Sequence, residues 1–161
     1  MRTNVLLLED NPTLATAMAK ALRDAGHNCR TANGVGKALR EISRAVPHLL
    51  IADYHVVDGT AADLLAELGA HHCEHLPVVL ATAAPTIARQ TTKAFAQVKA
   101  ILQKPVALDQ VVAMVELLAD HSIGPARAVR FIGAEERRRL LQFPGEDALA
   151  PADCPSPRAP A

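Results

Sequence analysis

Aromatic side chains are almost missing from this chain. It has no tryptophan, one tyrosine and three phenylalanines in 161 residues, so a core must be built from Leu, Val, Ala and Ile. Half the residues are hydrophobic, which is enough for such a core. Net charge is missing too: 17 basic and 17 acidic residues cancel, leaving no electrostatic footprint for nucleic acid. Cys29, Cys73 and Cys154 are odd in number and share no zinc or redox spacing, a pattern that reads as reduced thiols in a cytoplasmic protein. No apolar stretch approaches the ~20 residues of a membrane span. Val5 to Leu8 runs at once into Glu9-Asp10, which is not how a signal peptide continues. These absences predict a soluble, cytoplasmic protein that engages neither nucleic acid nor membrane.

What is present is an alternation of short apolar runs and amphipathic segments. Asn4 to Leu8, Asn28 to Ala32, Leu49 to Asp53, Val78 to Thr82 and Lys99 to Gln103 read as strands. Short apolar runs between turn residues suit strands buried on both faces of a parallel sheet. Between them, helical spacing predicts helices over Thr13–Ala25, Val35–Val46, Thr60–Gly69, Pro85–Phe95 and Leu108–Leu118. Asn11 and Pro12 suit the first helix's start and Gly26 its end. Val46 is followed by Pro47, a stop signal. Five such alternations imply an α/β fold with a doubly wound five-stranded parallel sheet. Order 2-1-3-4-5 puts strands one and three side by side at the switch point, where sites form.

The length suits one domain over residues 1–121 plus an appendage. Residues 122–161 are dense in Pro and Ala, a composition that cannot offset chain entropy and predicts a mostly disordered tail. One short helix over 134–143 could form within it. No DNA-binding or enzymatic output unit is recognisable there.

Neighbouring strands one and three would bring Glu9, Asp10 and Asp53 to one sheet edge. Three close carboxylates cannot all stay ionised without a compensating cation, and a few oxygen ligands with waters filling in suit Mg²⁺. The fourth strand ends on the hydroxyl of Thr82, and the fifth delivers the ammonium of Lys104. A divalent cation, an ammonium and a hydroxyl around one carboxylate fit phosphoryl transfer, which is mostly positioning and charge neutralisation. Asp53 would be the nucleophile, forming an aspartyl phosphate.

With these residues the chain closely resembles the receiver domain of bacterial two-component response regulators. The matching positions are Glu9-Asp10, Asp53, Asp58-Gly59, Thr82-Ala83 and Lys104-Pro105, and the resemblance covers about residues 3–121. It implies a flavodoxin-like receiver fold and a phosphoryl group accepted on Asp53 from a sensor histidine kinase or histidine phosphotransfer protein. It further implies Mg²⁺ held by Asp10, Glu9, Asp53 and the backbone carbonyl of His55. Lys104 would pair with the phosphoryl oxygens, and Thr82 would swing to them. Signalling to an unnamed downstream protein would be by protein contact. The family's aromatic switch position, three residues before the lysine, is Ile101 here, and an isoleucine cannot toggle as a tyrosine does.

Two rival readings remain at this stage. One is a phosphohydrolase with Asp53 as nucleophile, similar to the haloacid dehalogenase group, although its second acid is here His55. The other is a degenerate receiver serving as a constitutive interaction module. Tyr54 reads as a partly exposed packing residue. His71, His72, Cys73 and His75 read as a helix end and loop, since transition-metal sites need a rigid set of ligands.

Overall fold

The computed structural model describes residues 2–121. Along them run β1 (Asn4–Leu8), α1 (Pro12–Asp24), β2 (Asn28–Ala32), α2 (Val35–Arg44), β3 (Leu49–Asp53) and the two-residue strands β4 (His55–Val56) and β5 (Gly59–Thr60). After them come α3 (Ala61–Ala70), β6 (Val78–Thr82), α4 (Pro85–Thr92), β7 (Val98–Gln103) and α5 (Leu108–His121). The tail and the helix expected over 134–143 lie outside the described residues.

The five longer strands form one sheet in the order β2-β1-β3-β6-β7, and all its pairings are parallel. Counting these five alone, that is the 2-1-3-4-5 order expected, and the fold is a doubly wound α/β sheet. The strands alternate faces with period two, as pleated strands must. Leu6, Leu8, Leu50, Ala52, Val78 and Leu80 pack toward α2, α3 and α4. Val5, Leu7, Leu49, Ile51, Val79 and Ala100 pack toward α1 and α5. The core is aliphatic as the composition requires; Tyr54 is its one fully buried aromatic among the described residues. Leu50 sits at the centre of the first layer with no exposed surface. Leu50→Ala should cost about 2–5 kcal/mol, the usual range for a leucine deleted from a packed core. A urea denaturation series checks this; a loss under about 1 kcal/mol would mean that the layer collapses around the gap.

Local chemistry explains the helix ends. The Asn11 side chain accepts from the Thr13 and Leu14 amides at the start of α1, satisfying donors that the helix leaves open. Gly26 follows the same helix at φ +91, a left-handed position where a side chain would strain the backbone. Thr60 and Asp63 form a capping box, so Thr60 precedes α3 and does not begin it. α2 stops at Arg44, two residues short of Val46, because Ala45 is already extended (φ −158) ahead of a pre-proline residue that disfavours helix. α4 stops at Thr92, three residues short of Phe95. There the Phe95 amide turns back to the Thr92 carbonyl, and the chain leads into β7.

Candidate functional site

The carboxyl ends of the four strands β1, β3, β6 and β7 stand side by side. Leu8 pairs with Ala52, Asp53 with Ala81, and Thr82 with Gln103. The residues that follow or close these strands are Glu9-Asp10, Asp53, Thr82 and Lys104, so the register alone gathers them at one edge.

Glu9, Asp10 and Asp53 each offer a carboxylate oxygen within 4.8 Å of the others. Lys104 closes the group, its Nζ donating to Asp53 Oδ2 at 2.7 Å and to Glu9 Oε2 at 2.9 Å. Glu9 is only 3 % exposed, and its second oxygen, Oε1, accepts from the Asn11 amide at 3.1 Å. A carboxylate so deeply placed needs such partners, because burying an unpaired charge is costly. Asp10 is exposed, while Asp53 keeps 13 % of its side-chain surface open. Asp53 is therefore reachable from solvent, and its neighbours are fixed. Burial pulls the Lys104 ammonium down, but hydrogen bonds and charges from Asp53 and Glu9 outweigh it and hold its pKa above the usual lysine value. The lysine is thus cationic across the physiological range. The Lys104-Pro105 peptide is cis.

Thr82 lies at the same edge, 2 % exposed. Its hydroxyl accepts from the Ala84 amide at 3.0 Å, at the entry to α4. The His55 amide faces Asp53 Oδ1 at 3.4 Å. β4 and β5 pair antiparallel, His55 with Thr60 and Val56 with Gly59, so the loop after Asp53 is a closed hairpin.

Asp58, given no role from the sequence beyond its place in the Asp58-Gly59 match, has one in the structure. Its carboxylate accepts from the Val35 amide at 2.6 Å and the Gly36 amide at 3.0 Å. These are open donors at the start of α2, where a negative charge is favoured. The approach requires Gly34: a Cβ there would meet Asp58 Oδ1 at 2.6 Å. Asp58 thereby ties the hairpin beside Asp53 to a helix more than twenty residues earlier.

The amides of Gly36 and Val35 hold the Asp58 carboxyl below its ordinary value, and the Thr60 hydroxyl and amide do the same for Asp63. A depressed carboxyl stabilises the fold above its unfolded pKa, about 3.9 for Asp, and that stabilisation is lost as pH falls through the folded value. Urea midpoints should therefore drop between pH 5 and pH 3, and Asp58→Asn should flatten part of that drop. An unchanged slope in the variant would detach Asp58 from the acid sensitivity.

Tyr54 departs from its expected place. It is 4 % exposed, because it continues the alternation of Leu50 and Ala52 and points away from Asp53, into the layer beneath α3 and α4. His71 is exposed, 4.0 Å from Glu67. The histidine-rich stretch forms no metal-holding group among the described residues. Burial pushes the Cys29 thiol up to about 11, which keeps it protonated. A cavity of about 840 Å³ lined by residues that include Arg2, Arg23, His27 and Arg30 lies at the opposite ends of β1 and β2, away from the carboxylates. No helix among the described residues is long and apolar enough to cross a membrane.

Comparison with known proteins agrees with this geometry. The sequence profile of the response regulator receiver domain matches residues 5–116. The chain is 30 % identical over 108 residues to the "Probable transcriptional regulatory protein TcrX" of Mycobacterium tuberculosis, covering 67 % of this chain and 46 % of that protein. It therefore spans under half of that relative's length. Among solved structures, NtrX from Brucella abortus is similar with a TM-score of 0.68 and 26 % identity, over 76 % of this chain and 28 % of that one. The Francisella response regulator 1452 receiver domain has the same fold, with a TM-score of 0.67 and 19 % identity over 75 % and 99 % of the two chains. A profile match over most of the chain, with the sheet order and the acidic edge, leads to one assignment: the chain belongs to the response regulator receiver domain family.

Proposed function

We propose that this receiver takes a phosphoryl group onto Asp53 from the phosphohistidine of a sensor kinase or histidine phosphotransfer protein in the cytoplasm. It then signals by contact with a downstream protein. The observation that carries this reading is the Lys104 ammonium seated between Asp53 and Glu9, at 2.7 and 2.9 Å. That lysine holds the acceptor's carboxylate in place and leaves a fixed cation where phosphoryl charge would develop. In the transfer a phosphorus–nitrogen bond breaks, a phosphorus–oxygen bond forms at Asp53, and the imidazole leaves.

Glu9, Asp10 and Asp53 supply only oxygen donors within 4.8 Å of one another, which fits Mg²⁺. With the backbone carbonyl of His55 they would hold the ion. When bound, Mg²⁺ supplies positive charge that offsets the phosphoryl oxygens. Asp58 keeps the hairpin carrying His55 in position, and Lys104 pairs with the incoming oxygens. Thr82 lies one strand over, where its hydroxyl can leave Ala84 for the phosphoryl group.

Acetyl phosphate with Mg²⁺ tests this by intact mass. The protein should gain one phosphoryl group, and none with EDTA. No gain with Mg²⁺ present would overturn the reading and favour a constitutive interaction module. Sustained turnover of small phosphate esters would favour a hydrolase instead. His55 speaks against that outcome: its ring is exposed and sits edge-on to Tyr54 at 4.7 Å, where a hydrolase would need an acid.

A further inference from the structure

α4 is held to the rest of the fold by little. Of its eight residues only Ala88 and Thr92 are buried, and its start at Ala84 has no side-chain cap. Two polar tethers add to its packing on β6 and β7, and both come from residues near Asp53. At the front, the Ala84 amide donates to the Thr82 hydroxyl. At the rear, the Tyr54 hydroxyl meets Thr91 Oγ1 at 2.5 Å. Thr91 Oγ1 also lies 2.9 Å from the Ile87 carbonyl of its own helix. The threonine's single hydrogen is directed there, so the phenol is the donor to Thr91.

Tyr54 cannot follow α4 if the helix shifts. Its amide donates to the Ala81 carbonyl of β6 at 3.0 Å, and its carbonyl accepts from the Ala61 amide of α3 at 2.8 Å. Its ring is enclosed in the layer that includes Ala52, Leu80 and Ala88. Displacing α4 must therefore break the Tyr54–Thr91 bond or turn the ring. Ile101 of β7 packs half-buried against the same layer and has no polar atom with which to replace that bond.

We propose that the Tyr54–Thr91 hydrogen bond is a latch that holds α4 in its unphosphorylated position and opens when Asp53 is modified. This rests on the acceptor reading given above. Modification draws the Thr82 hydroxyl away from Ala84 and frees the front of α4. The rear tether then resists the shift as a polar contact, beside the packing of the buried Ala88 and Thr92. Tyr54, bonded in sequence to Asp53, joins acceptor to helix from within the sheet.

The chain itself supplies the probe. Tyr54 is its only tyrosine and there is no tryptophan, so intrinsic emission reports on this ring alone. Beryllofluoride with Mg²⁺ serves as the phosphoryl mimic, and ¹⁹F NMR counts the adduct independently of Tyr54. The wild-type protein should show a change in Tyr54 emission together with backbone amide shifts along α4. Thr91 is exposed, so Thr91→Val leaves the core intact. This variant should form the adduct and lose the emission change. It should also bind beryllofluoride about fivefold more tightly, the low end of ordinary coupling between sites, because no latch has to open. Thr91→Ser, which keeps the hydroxyl, should behave as wild type. An adduct with unchanged Tyr54 emission would overturn the latch and leave the acceptor reading standing, as would an emission change that survives Thr91→Val. No adduct in the wild-type protein would overturn both.

Discussion

Asp53→Asn should abolish labelling by acetyl phosphate while leaving the fold intact. The amide is nearly the shape of the carboxylate and can still meet Lys104 through its oxygen. It is a far weaker nucleophile, and removing a nucleophile typically costs several orders of magnitude in rate. Intact mass after incubation with Mg²⁺ and acetyl phosphate reads the result, and circular dichroism checks the fold. Labelling of the variant at the wild-type level would place the acceptor elsewhere. Asp10 is the residue to examine next, since it is exposed and belongs to the same carboxylate group.

Lys104→Met should show two effects that separate on addition of Mg²⁺. Without metal, the Glu9 carboxylate at 3 % exposure loses its only cationic partner among the described residues and is left near Asp53 and Asp10. Removing one partner of a buried ion pair costs about 3–5 kcal/mol. The lysine side chain is 21 % exposed, so the expected loss is nearer about 2–3 kcal/mol once solvent screening is allowed for. Mg²⁺ binds the folded protein through the same carboxylates, and mass action should recover much of that stability. The rate of labelling should not recover. A fixed positive group aimed at developing charge is worth about 10²–10³ in rate, and the methionine cannot supply it. Urea midpoints with and without Mg²⁺, alongside labelling rates, test both halves. Equal stability without metal would mean that Glu9 is not an ionised, compensated carboxylate.

The sheet was legible in the sequence because β1, β3, β6 and β7 are short, largely apolar runs that end on or lead into polar residues, while β2, Asn-Cys-Arg-Thr-Ala, carries the weaker signal. Asp53, Thr82 and Lys104 each mark such an end, and the parallel order brings them together without further information. The individual hydrogen bonds made across that edge and beside it were not legible. Nothing local says that Glu9 meets Lys104, 95 residues away, or that Asp58 reaches back to the Val35 and Gly36 amides. A trace of the second contact exists in Gly34 and Gly36 flanking Val35, since glycines at a helix start leave room for a close approach. Tyr54 was misplaced because it was judged by its nearness to Asp53. The period-two alternation through Leu50 and Ala52 already assigns it to the opposite face of the sheet. The helix ends shifted by a few residues where side chains compete for backbone groups. Thr60 became a cap and Thr92 a terminus, which apolar spacing does not register.

In the proposed function Glu9, Asp10 and Asp53 share one cation, and the Asp53 carboxylate accepts the phosphoryl group. A crystal structure of the protein with Mg²⁺ and beryllofluoride tests it most directly. The expected result is beryllofluoride joined to an Asp53 oxygen, Lys104 in contact with a fluorine, and one Mg²⁺ touching Asp10, Asp53 and the His55 carbonyl. Beryllofluoride on another residue, or Mg²⁺ bound away from this edge of the sheet, would contradict it.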